Sequence, residues 1–181
     1  MIGTILGVAT VVVGSLLATA ANAATRKEYV MLNPKKAYPK LGLALAEKWG
    51  QIFGVPPQWI ASIQSVETGF RPLAYNQAGK AHGMMQIKLP TALDIIRRGK
   101  QFDAWKNPAV KATLRKFSGN GQDLFDPDLN VMLGSMYLLL LGKKFGGLFP
   151  VVSAAYNQGE GAVAKALAKA AASGQPFEGF L

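Results

Sequence analysis

Apolar residues in this chain recur at intervals of three and four and almost never at two, and Pro and Gly divide them into short runs. That spacing puts apolar side chains on one helical face, whereas a half-buried strand needs strict alternation. The chain therefore reads as mainly α, with minor strands. Leu41, Leu45, Lys48/Trp49 and Ile52 carry a first helix that Gly54 stops. Pro56-Pro57 opens a second, running through Trp59, Ile60, Ile63 and Val66 to Glu67, with Gly69 at its end. Residues 69–83 hold Gly, Pro, Asn and Gln and read as an extended loop or small hairpin. A helix follows from about Thr91 to Arg98. Asp126 caps a long helix that Pro127 opens, striped by Leu129, Met132, Leu133, Met136, Tyr137, Leu140 and Leu141. Gly142 and Gly146-Gly147 close it, so it reads as a core helix rather than a membrane span. Pro150 opens a short helix to Tyr156, and an alanine-rich helix runs from about Gly161 to Ser173.

The chain has no cysteine, which excludes disulfides, thiolate metal sites, iron–sulfur clusters and a cysteine nucleophile. Its one histidine, His82, rules out a multi-histidine zinc site, so no metal is expected. His82 reads as a solvated loop residue, and Met84-Met85 as packing. A net charge of +10 favours an anionic partner: nucleic acid, anionic lipid or a bacterial wall polymer. The basic stretch 97–116 carries Arg97, Arg98, Lys100, Lys106, Lys111, Arg115 and Lys116 against Asp103. It lacks a recognised nucleic-acid motif, so no specific nucleic acid is expected, and a solvated face is its simple reading.

Met1 to Thr25 carries no charged side chain, and Ile5 to Ala21 is almost wholly apolar or small. Ala21-Asn22-Ala23 has the small-x-small form of a cleavage site. Residues 1–24 thus read as a signal peptide or as an N-terminal membrane anchor, since about 20 apolar residues span a bilayer. Residues 25–40 read as a basic linker, and 41–181 as one domain. Both readings of the N-terminus place the domain in the cell envelope, exported or anchored.

Glu67 is the candidate catalytic residue. Ile60, Ile63 and Glu67 stand at i, i+3 and i+7, so the carboxylate shares a face with apolar residues. Burial raises a carboxyl pKa, and the last helical turn disfavours negative charge. Both effects favour the protonated form that a general acid needs. The same geometry also fits a glutamate at the solvent edge of an amphipathic helix.

Four blocks follow in order: Glu67-Thr68-Gly69-Phe70-Arg71-Pro72; Gly83-Met84-Met85-Gln86-Ile87 with Thr91-Ala92 behind; Asp126-Pro127-Asp128-Leu129-Asn130 with Gly134 and Tyr137-Leu138; and Ala154-Ala155-Tyr156-Asn157-Gln158-Gly159. In order and spacing, residues 41–170 resemble the catalytic domain of the soluble lytic transglycosylases, related to goose-type lysozymes. The resemblance implies a lysozyme-like fold, α+β with minimal strand content, and no cofactor. It implies Glu67 as the catalytic acid and Gln86, Tyr156, Asn157, Asn76, Thr68 and Met85 as substrate-binding residues, with the Tyr156 hydroxyl bonded to Glu67. Asn130 matches a family asparagine but reads as structural, bonding a neighbouring loop.

The chain departs from the family pattern at Thr68, at Met84, at Lys88 where a groove methionine often lies, at the displaced Pro90 and at Glu160. The implied substrate is peptidoglycan, cut between N-acetylmuramic acid and N-acetylglucosamine to leave 1,6-anhydro ends. A hydrolase normally needs a second carboxylate. Glu160 is the only acid beside a matched motif, and it keeps a goose-type muramidase open. A structural assembly part retaining the fold, or an enzyme serving a phage or secretion apparatus, are the other readings.

Overall fold

The computed structural model describes residues 32–173. The chain divides between Asn33 and Pro34, inside the expected linker, and all that follows concerns the unit beginning at Pro34. The signal peptide or anchor expected over 1–24 lies outside the described residues.

Helix α1 spans Pro39–Phe53 and α2 spans Pro57–Thr68. Each ends on a glycine in the left-handed region, Gly54 (φ 66°) and Gly69 (φ 59°), as the punctuation foretold. A small antiparallel sheet follows: β1 (Tyr75–Asn76), β2 (Ala81–His82) and β3 (Ile87–Lys88), in that order. The sequence left an extended loop or a small hairpin over 69–83; the structure forms the hairpin, and β3 adds one strand beyond it.

Helix α3 runs Leu89–Gly99, and α4 (Pro108–Leu114) lies within the basic stretch, between 3-10 turns at Asp103–Lys106 and Gly121–Phe125. Helix α5 spans Pro127–Lys144, with the Asp126 carboxylate accepting from the Leu129 amide at 2.9 Å, the cap the sequence implied. Helices α6 (Phe149–Gln158) and α7 (Glu160–Ser173) complete the chain. The described architecture is mainly helical with minimal strand content.

Helix α5 is the axis of the core. Helices α1, α3, α4 and α6 all pack on it. Leu129, Val131, Met132, Leu133, Met136 and Leu141 are fully buried. A helix apolar on every side is an enclosed one. Among the described residues no single helix is long and apolar enough to cross a membrane.

The beginning of α5 is fastened by ions. Asp128 accepts from Lys48 at 2.8 Å, from the Trp49 indole at 3.0 Å and from Thr113 at 3.2 Å, and pairs with Lys116 at 3.4 Å. Burial pushes the Asp128 carboxyl up, but Lys48, Lys116 and the Trp49 hydrogen bond together hold it below its ordinary value. The basic stretch is not simply a solvated face: Arg98 bonds Asp94 and Glu160, and Lys116 bonds Asp126 and Asp128.

Candidate active site

Helix α2 delivers Glu67 to the mouth of a cleft. Its last turn closes with the Gly69 amide on the Ser65 carbonyl (2.9 Å) and the Phe70 amide on the Gln64 carbonyl (3.3 Å). The first of these is the closure of a helix that ends on a left-handed residue, and it fixes where the helix stops. Glu67 is half-buried, and burial alone raises its carboxyl above the ordinary value. Among the described residues it makes no hydrogen bond and no ion pair.

Gln86, at the end of the loop 83–86, lines the same cleft. Gly83 takes φ 73°, and a side chain there would strike Asn130 and the Leu124 carbonyl. Gln86 takes φ 48°, a conformation that costs a non-glycine residue energy and must be imposed by its surroundings. Asn130 imposes it from beneath. Its Oδ1 accepts from the Met85 amide at 2.8 Å, and its Nδ2 donates to the carbonyls of His82 (2.8 Å) and Leu124 (2.9 Å). The structural reading of Asn130 holds.

The cleft has a volume of about 360 Å³. Its lining is Glu67 from α2; Asn76, Gly79, Ala81, Gln86, Ile87 and Lys88 from the sheet; Thr91 from α3; Tyr137 from α5; and Tyr156, Asn157, Gln158 and Gly159 from the end of α6. Four expected binding residues, Asn76, Gln86, Tyr156 and Asn157, therefore meet Glu67 around one cavity. Gln86 spends its amide Nε2 on the Gly83 carbonyl at 3.0 Å. The Asn76 side chain accepts from the Gly79 amide at 3.0 Å.

Two expected binding residues stand elsewhere. Met85 is fully buried, and its side chain fills the space that Gly134 leaves on α5. Only its backbone is near the site. Thr68 is buried too; its hydroxyl donates to the Met84 carbonyl at 3.0 Å and accepts from the Arg71 amide at 3.2 Å. It ties the end of α2 to the loop 83–86, so its contribution is positional.

Tyr156 also differs from expectation. Its hydroxyl donates to the Met85 carbonyl at 2.7 Å rather than to Glu67. Burial, then the nearby Glu67 and Tyr137, hold the Tyr156 hydroxyl well above its ordinary pKa, so it stays protonated. Its ring lies against Tyr137 at 5.3 Å. Tyr137 reads in the sequence as one more member of an apolar stripe, and nothing in that spacing marks it as a wall of the cleft.

His82 is not solvated. It sits in β2, only 8% exposed, opposite Tyr75 in the register, with its ring 4.8 Å from Tyr75 and 5.0 Å from Phe125. Cross-strand aromatic packing buries it, and the composition of the loop gave no sign of that pairing.

The remaining acids among the described residues are engaged. Glu160 pairs with Arg98 at 2.8 Å and Lys144 at 3.2 Å, and it does not line the cleft. Asp94 holds Arg97 and Arg98, Asp103 holds Lys106, and Asp126 holds Lys116. Asp123, which the sequence left unremarked, closes a capping box with Asn120 and accepts from Ser118. Among the described residues Glu67 is the one carboxylate on the cleft wall.

The family model described as Transglycosylase SLT domain matches residues 44–176 of this chain. The chain belongs to that family. It is 32% identical over 130 residues to a protein of Actinobacillus pleuropneumoniae named membrane-bound lytic murein transglycosylase C, covering 68% of this chain and 32% of that one. It is 32% identical over 101 residues to a Klebsiella pneumoniae protein named endo-type membrane-bound lytic murein transglycosylase A, covering 55% of this chain and 42% of the relative. The structure of an inactive mutant of lytic transglycosylase Slt from Pseudomonas aeruginosa superposes with a TM-score of 0.56 at 28% identity, over 68% of this chain and 18% of that one. This SLT domain thus spans about a third of the length of the first of these relatives. The lysozyme-like, mainly helical fold is shared with that solved structure.

Proposed function

We propose that this SLT domain is a peptidoglycan lytic transglycosylase that cuts the β-1,4 bond between N-acetylmuramic acid and N-acetylglucosamine without consuming water. The observation that carries the reading is Glu67: among the described residues it is the one carboxylate lining the cleft, half-buried, unpaired and raised by burial. A raised carboxyl keeps its proton for longer as pH rises, as a general acid requires.

Glu67 gives its proton to the glycosidic oxygen as the bond to the muramic carbon breaks. The ionised Glu67 then takes the proton from the C6 hydroxyl of the same sugar, whose oxygen attacks that carbon and closes the 1,6-anhydro ring. The leaving sugar carries the first proton, and Glu67 ends protonated again. The nucleophile is tethered to its target, so the step gains from proximity. Gln86, Asn76 and Asn157 suit the neutral hydroxyl and amide groups of a glycan, and Tyr156 holds the Met85 backbone beside them.

A hydrolase would want Glu160 as its second carboxylate. That side chain is committed to Arg98 and Lys144, which favours the transglycosylase over the muramidase. The relatives named membrane-bound support a place in the cell envelope. The test is digestion of purified peptidoglycan: the parent chain should release muropeptides and the Glu67→Gln variant should release almost none. Equal release by the two would remove Glu67 from the chemistry.

A further inference from the structure

Among the described residues, two that carry charge line the cleft, Glu67 and Lys88. Six lysines of the described chain have work in the fold, Lys48, Lys106, Lys116 and Lys144 pairing with acids and Lys36 and Lys143 lying over aromatic rings, and of the remainder Lys88 is the one on the cleft wall. Lys88 makes no ion pair or hydrogen bond among the described residues, although its position is fixed. It pairs with Ala81 across the sheet, its neighbour Ile87 is buried, and α3 begins at the next residue. The backbone therefore holds the base of this side chain still while the ammonium stays exposed at the cleft.

Burial favours the protonated form of Glu67. While Glu67 keeps its proton, the net charge of the cleft wall is the positive charge of Lys88, and such a cleft concentrates anions.

We propose that Lys88 is an anion subsite that recognises carboxylates carried by the strand being cut. The inference rests on the transglycosylase reading of the same cleft. In peptidoglycan every second sugar bears a lactyl ether, whose carboxyl is either free or amide-linked to a peptide with carboxylates of its own. The sugar ring offers only neutral hydroxyls and amides, which suit Gln86, Asn76 and Asn157. An ammonium on a flexible stem accepts a carboxylate without a fixed geometry, which suits a branch hanging from a rigid glycan. The Thr91 hydroxyl, on the same wall, can share the anion.

The test uses the full chain, with Lys88→Met and Lys88→Arg variants, on solubilised glycan strands. One batch is native; in the other the carboxyls are converted to amides with carbodiimide and ammonia. On native strands Lys88→Met should raise KM by about two- to fivefold, the size of an exposed ion pair, with kcat unchanged. The increase should vanish on amidated strands and at about 0.5 M salt, where exposed charges are screened. Lys88→Arg should restore the parent KM. An unchanged KM on native strands, or an equal change on both batches, overturns the anion subsite while leaving the enzyme reading intact. A parent chain that cuts neither batch overturns the transglycosylase reading, and this inference with it.

Discussion

A carboxyl placed at the end of an amphipathic helix has two cheap outcomes, pairing with a cation or turning to water. Glu67 takes neither, and stays half-buried on a cleft wall. Its raised pKa makes a statement about stability. Between the ordinary value and the raised one, the folded chain binds more protons than the unfolded chain, so stability falls as pH rises through that window. Glu67→Gln should therefore melt at the same temperature as the parent below the ordinary carboxylate range, and higher at neutral pH, in calorimetry. Cleavage should drop by about 10²–10⁴-fold, the share that a positioned acid supplies. A variant that melts lower at neutral pH would show that the carboxylate was stabilised by its site. This residue was legible because its i, i+3, i+7 spacing put it among apolar neighbours. Lys88 was legible only as a departure from a family pattern; its isolation on the cleft wall needed the fold.

At the scale of elements, the site depends on α5 more than on the residues that face the cleft. Asn130 supplies three buried hydrogen bonds, two of them to a loop it does not adjoin in sequence and the third to the Leu124 carbonyl. Asn130→Ala leaves one amide and two carbonyls unpaired, so chemical denaturation should show a loss of about 3 kcal/mol, at roughly 1 kcal/mol for each bond. A loss within 0.5 kcal/mol would mean that water replaces the side chain and that the loop is held from elsewhere. Asp128 fastens the same end of α5 to α1 and α4. Its carboxyl is held below its ordinary value, so its contribution is complete above the ordinary carboxylate range and is lost as pH falls below it. Asp128→Asn should cost about 2–3 kcal/mol at pH 7, less than a fully buried pair because Lys48 and Lys116 keep contact with water. The gap between variant and parent should close as pH drops through the acid range in urea melts; a gap that is flat with pH would mean that the ion pairs contribute nothing.

Across the whole molecule, the parts that were readable in advance are those that local chemistry decides. Gly54, Gly69, Asp126-Pro127 and Pro150 mark helix ends because caps and prolines act within a turn of where they stand. Helix α4 escaped notice because Lys111 and Arg115 break up the apolar pattern of Val110, Thr113 and Leu114, which only the packing on α5 reveals. His82 and Met85 were misplaced for a related reason: strand register and a gap at Gly134 bury them, and both are set by partners far along the chain. The cleft gathers α2, the sheet, α3, α5 and α6, so its walls became visible only when those elements met.

The proposed chemistry needs one carboxylate where a hydrolase uses two, and the masses of the cut ends test that most directly. Purified peptidoglycan digested by the full chain should yield muropeptides whose muramic ends are lighter by one water than reducing ends, the signature of an anhydro ring. Reducing ends alone would mean that water is the nucleophile, and would contradict it.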